Sequence, residues 1–160
     1  MSAPRIVLRH YRLDLTDAEE LALDEAAVAA GVDYRAWVAA FDSRLGLYDA
    51  EDAAVLESLA PRVLGRAPVR VVRIEHLVPF EWSAFEGLRT LDSICRALPG
   101  ALPSPREWRF FGDDLARPPY LWASHEAPGL QLAGWLDEPD WERWWRAFDD
   151  ATAHLPRHAV

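Results

Sequence analysis

Apolar side chains recur along this chain with two periods, and the switches between them mark the elements. Residues 5–15 alternate, with Val7, Tyr11, Leu13 and Leu15 on one side and Ile6, Leu8, His10 and Arg12 on the other, which predicts a strand. Thr16 followed three residues later by Glu19 has the spacing of a capping box. It predicts a helix from Asp17 to Ala30, stopped by Gly31. Asp33 is placed to cap a second helix, in which Tyr34, Trp37, Val38, Phe41 and Leu45 repeat at helical spacing up to Gly46. A third helix is predicted over 50–64, with Leu56, Leu59 and Val63 on one face and a bend at Pro61.

The second part of the chain reads differently. Residues 69–78 read as the best strand in the chain, with Val72, Ile74, His76 and Val78 on one face and Val71, Arg73, Glu75 and Leu77 on the other. Ser83 with Glu86 repeats the capping-box spacing, and the helix behind it carries Leu88, Leu91, Cys95 and Leu98 on one side until Pro99-Gly100. Residues 107–111 predict a strand. Residues 120–126 and 130–136 predict a hairpin around Pro128-Gly129, a pair suited to a type II turn. If Ala127 lies opposite Leu130, Trp122 lies opposite Trp135. A last helix begins near Asp137 or Asp140, with Pro139 in its first turn and Trp141, Trp144, Trp145, Phe148 and Thr152 as its apolar stripe. Trp145 and Phe148 are its expected core residues, with Trp144 or Trp141 at the border.

The resulting order is β-ααα-β-α-β-ββ-α. Consecutive late strands favour an α+β fold with a mostly antiparallel sheet of four to five strands and about five helices. At 160 residues the chain is expected to be a single globular domain, 1–160.

Charge changes this picture. All 17 basic residues are arginine, against 26 acids, and the net charge is −9. Residues 16–57 hold eleven acids and two bases, Arg35 and Arg44, so the excess sits in the three predicted early helices. An acidic surface repels a phosphate backbone, so nucleic acid is not expected as a partner. No stretch approaches the ~20 apolar residues of a membrane helix, and the N-terminal residues do not form a signal peptide. With Cys95 as the sole cysteine there is no intramolecular disulfide, and a cytoplasmic location is expected.

Candidate chemistry is sparse. The chain has no glycine-rich phosphate loop, no nucleophile elbow and no paired zinc ligands, so neither a cofactor nor a metal is expected. The pair His154 and His158 has a metal-like spacing but lies at the chain end. Cys95 shares a helical face with leucines and reads as a buried thiol. His76, His125 and the pair Asp113-Asp114 are the side chains from which a hydrolytic site could be assembled. The more economical reading makes His76 a core histidine and the two aspartates ordinary turn residues.

The expectation that best fits these features is a small acidic protein that binds a basic protein partner, a physical character shared with immunity proteins and antitoxins. Asp49, Glu51 and Asp52, clustered between two helices, are its expected contacts, with Trp82 as an aromatic anchor. Two other classes remain open. One is an enzyme such as a hydrolase, working through His76, Asp113, Asp114 and His125. The other is a small-molecule binder with a pocket lined by some of the eight tryptophans.

Overall fold

The computed structural model describes residues 9–42, 46–49, 53–84, 86–105 and 107–158. Among the described residues it is an α+β structure with five α-helices and seven strands. The strands form one antiparallel, curled sheet in the order β2-β3-β1-β4-β7-β6-β5, where β1 is Arg9–Arg12, β2 Phe41–Asp42, β3 Leu47–Asp49, β4 Val69–Val78, β5 Trp108–Phe110, β6 Tyr120–Glu126 and β7 Gly129–Asp137. The sheet thus has more strands than the four to five that the periodicity predicts. The chain divides into two compact units, Leu8–Val71 and Val72–Val160, and the division falls within β4.

In the first unit, α1 (Asp17–Ala29) begins at the expected capping box. The Glu19 amide donates to the Thr16 hydroxyl and the Thr16 amide donates to the Glu19 carboxylate. Gly31 ends it at φ +86°, a conformation that other residues rarely adopt. Asp33 caps α2 (Tyr34–Ala39) by accepting from the Ala36 amide at 2.9 Å. α2 is shorter than the apolar stripe implies, because Phe41 leaves the helix to pair with Tyr48 across β2 and β3. Gly46 is the turn between those two strands and not a helix stop. The third helix, α3 (Ala53–Leu64), keeps Pro61 inside its last turn. Tyr11, Leu13, Leu23, Ala27, Trp37, Tyr48, Leu56, Leu59 and Ala60 form the core of this unit.

β4, which carries the chain from the first unit into the second, spans the predicted ten residues. The predicted capping box at Ser83 does not form. Residues Trp82–Ala84 make a 3-10 turn, and α4 (Gly87–Ala97) starts after Glu86 with no side-chain cap. Leu91, Cys95 and Leu98 are buried as expected, but Leu88 is exposed. The β6–β7 hairpin pairs Glu126 with Gly129, so Trp122 lies opposite Ala133 and Trp135 opposite Tyr120. That is two residues away from the predicted register, an even slip that leaves both tryptophans on the same face. Gly129 cannot carry a side chain, since an added Cβ would lie 2.0 Å from the Val78 carbonyl oxygen.

The last helix, α5 (Glu138–Thr152), buries Trp141, Trp144, Trp145, Phe148 and Thr152, including both tryptophans expected at the border. Trp144 stacks on Phe148 with ring centroids 5.0 Å apart and meets the edge of Phe110 at 5.1 Å. The segment after α5 is held in place. Phe80 bridges to Arg157, the His158 amide donates to the Pro79 carbonyl at 2.9 Å, and Leu155 is buried.

Candidate functional site

The most distinctive surface of the first unit lies on α1 and α2. Of α1's thirteen residues, five are acidic (Asp17, Glu19, Glu20, Asp24, Glu25) and none is basic. Its apolar residues surround the helix instead of forming one stripe. Leu23 and Ala27 face the core, whereas Leu21 is 60% and Val28 51% exposed. On α2 only Trp37 is buried. Tyr34 and Val38, which share its predicted stripe, are 54% and 46% exposed. Four large side chains, Leu21, Val28, Tyr34 and Val38, therefore stand in solvent near the carboxylates of Glu20, Asp24 and Glu25.

The two helices border two adjoining open hollows. The wider one, about 330 Å³, is lined by Leu21, Asp24, Glu25, Val28, Ala29 and Tyr34. The narrower, about 120 Å³, is lined by Glu20, Asp24, Tyr34, Trp37, Val38, Phe41 and Tyr48. Asp24 and Tyr34 border both. Asp24 is held in position by the Trp37 indole, whose N–H donates to its carboxylate at 2.8 Å. Tyr48 stacks on Phe41 with centroids 4.6 Å apart and tilts against Trp37 at 5.6 Å. Burial, then the charges of Asp24 and Glu20, push the Tyr48 hydroxyl well above the usual phenol range. Glu19 points elsewhere, into a two-oxygen pair with Arg66 at 2.9 Å.

Asp49 lies at the end of β3, paired with His10. Glu51 and Asp52 fall outside the described residues. Trp82 is half-buried in the second unit. Its indole N–H donates to the Glu126 carbonyl at 2.9 Å, and its ring meets His125 at 4.3 Å and Phe80 at 5.6 Å.

The alternative catalytic residues are dispersed. His76 points to the helix-covered side of β4, edge-on to Trp145 at 5.5 Å, where burial and then Arg157 lower its pKa. His125 is on β6, two strands away, which is about 10 Å. Asp113 and Asp114 precede the opposite end of β6, and the Asp114 carboxylate accepts from the Ala116 amide as an ordinary turn residue. Among the described residues no three His, Cys, Asp or Glu side chains gather in a metal-binding group.

Tryptophan chemistry appears on the other face of the second unit's sheet. Tyr120, Trp122 and Trp135 share it with Arg73 and Glu75 of β4 and with Gln131, around a hollow of about 360 Å³. The Arg73 guanidinium lies 5.9 Å from the Trp135 ring centroid and 3.6 Å from the Glu75 carboxylate.

Comparison of the chain with protein-family models, with curated proteins and with solved structures found no match. Among the described residues no helix is long and apolar enough to cross a membrane.

Proposed function

We propose that this protein is a binding protein for a basic protein partner, and that the partner docks on the α1–α2 face. The observation that carries the reading is the set of exposed Leu21, Val28, Tyr34 and Val38 among Glu20, Asp24 and Glu25. Apolar anchors supply contact area and the surrounding acids select for positive charge. An amphipathic basic helix has the matching chemistry, with apolar residues for the wider hollow and Lys or Arg toward the carboxylates. Asp49, Glu51 and Asp52 belong to the same acidic segment and, in this reading, add to the field that draws the partner in.

The test is capture of the partner from a lysate of the source organism by the wild-type protein and by a variant carrying Leu21→Ser and Val28→Ser. Both side chains are exposed, so the variant should fold with a stability within about 0.5 kcal/mol of wild type. The reading predicts a captured protein of high isoelectric point that the variant does not retain. Its association rate should fall as salt shortens the screening length to about 10 Å at 0.1 M. Equal capture by the variant rejects the reading.

A second reading, a small-molecule binder, is favoured by the hollow around Trp122 and Trp135. Its size falls within the range of ligand sites, and it combines aromatic surface with a few polar groups. Trp122→Ala should then abolish ligand-induced changes in tryptophan fluorescence without altering partner capture.

A further inference from the structure

The narrower hollow on the α1–α2 face has a composition that a docking surface alone does not require. Four aromatic rings, Tyr34, Trp37, Phe41 and Tyr48, line it together with the carboxylates of Glu20 and Asp24, and no basic side chain among the described residues does. We propose that it is an aromatic cage for an alkylammonium ion and that it receives one lysine side chain of the basic partner. The proposal rests on the docking reading above and names the contact that would give that docking its specificity.

Aromatic rings present negative faces, and a cation within about 6 Å of several of them is attracted to each. Phe41 stacks on Tyr48 with centroids 4.6 Å apart and Trp37 tilts against Tyr48 at 5.6 Å, so these three rings pack into one continuous aromatic wall of the hollow. Tyr48 is 2% exposed, and no described residue hydrogen-bonds its hydroxyl. The Trp37 N–H occupies one Asp24 oxygen, leaving the second oxygen, Glu20 and the Tyr48 hydroxyl as acceptors. An ammonium group has three N–H donors and no acceptor, which complements that set. A volume of about 120 Å³ equals that of roughly four waters. The acceptors there match the three donors of an ammonium better than the five donors of a planar guanidinium.

The experiment uses n-butylammonium as a mimic of the lysine side chain and follows the Trp37 indole N–H by ¹H–¹⁵N NMR. n-Butanol and n-butylguanidinium serve as neutral and planar comparators. The cage predicts a saturable shift of that resonance with a dissociation constant of the order of 1–10 mM. Binding should be about tenfold weaker for both comparators and about tenfold weaker after Glu20→Gln or Phe41→Leu, with spectra otherwise retaining their dispersion. No saturable shift, equal affinity for n-butanol, or unchanged affinity in both variants would overturn it. If n-butylammonium fails to bind while the Leu21→Ser, Val28→Ser variant still loses the partner, the cage is wrong and the docking reading stands. If n-butylammonium binds while that variant captures the partner normally, the cage stands and the docking reading is wrong.

Discussion

Trp37 donates its indole N–H to the Asp24 carboxylate across 2.8 Å, and this bond joins α2 to α1. The indole is 1% exposed and its N–H has Asp24 as its partner, so losing the carboxylate leaves a largely buried donor without its protein acceptor. Asp24→Ala should therefore cost about 1–3 kcal/mol, the penalty for an unpaired buried donor. Asp24→Asn keeps an acceptor oxygen and should cost clearly less. Urea denaturation midpoints of the two variants test this. Equal losses would show that the bond is not what secures α2.

Glu19 shows how the start of α1 is tied to the end of α3. Arg66 reaches the Glu19 carboxylate with two nitrogens and donates also to the Asp14 carbonyl. The hydrogen bonds from Arg66, then the one from the Thr16 amide, lower the Glu19 pKa from 4.5 to about 2. A carboxylate whose pKa is depressed by folding stabilises the folded state above its unfolded pKa. That contribution is lost as pH falls through the window from 4.5 to about 2. The side chains are exposed, so salt weakens the effect. NMR titration of the Glu19 carboxyl carbon should give a midpoint near the bottom of that window, and Arg66→Gln should move it up toward the ordinary value. A midpoint unaffected by that substitution would show that the pair does not persist in solution.

Much of the architecture follows from local signals that chain neighbours can satisfy by themselves. Thr16 with Glu19, Asp33 with Ala36, and the β-branched run of 69–78 specify their elements without distant help. The stripe of α5 also gave its buried face, and a helix burying three tryptophans and Phe148 leaves little room for a border position. The strands β2 and β3 were not legible. Two or three residues carry no periodicity, and Phe41 continues a helical pattern that is cut short by its pairing with Tyr48. Ser83 and Glu86 have capping-box spacing, but the chain there closes a tighter turn through a bond from the Ala84 amide to the Glu81 carbonyl. The candidate site was missed for a related reason. Periodicity shows that Tyr34, Trp37 and Val38 share a face, and it does not show whether another element covers it. The spread of apolar residues around α1 was the signal available, since Leu21 and Val28 cannot point inward together with Leu23 and Ala27.

Trp145 is expected to be a main support of the second unit. It is 4% exposed, tilted against Trp141 at 5.5 Å and Phe148 at 5.7 Å, with His76 against its edge. Trp145→Ala should cost about 3–5 kcal/mol, a large part of the stability of a domain this size. Trp145→Phe keeps most of the apolar contact and removes an indole N–H that has no hydrogen-bond partner among the described residues, so it should cost much less. Comparing the two by denaturant unfolding separates lost volume from lost polarity. A midpoint that scarcely moves in the alanine variant would show that α5 does not anchor this core.

The final prediction concerns Cys95. It lies on the inner face of α4 with Leu91 and Leu98, 1% exposed, and burial, then the charge of Asp92, pushes the thiol up to about 12. The reactive species is the thiolate, so a raised pKa keeps the group overwhelmingly a thiol at pH 8 even before access is considered. The folded protein should therefore resist a thiol reagent such as Ellman's reagent over times in which a free cysteine reacts completely. Adding urea should speed the reaction in step with unfolding, because labelling then reports the fraction of molecules in which the second unit's core has opened. Rapid labelling without urea would place Cys95 in an accessible, activated setting and contradict its position beneath α4. Labelling that begins well below the urea midpoint would show instead that α4 opens before the rest of the unit, a local transition that the midpoint alone cannot reveal.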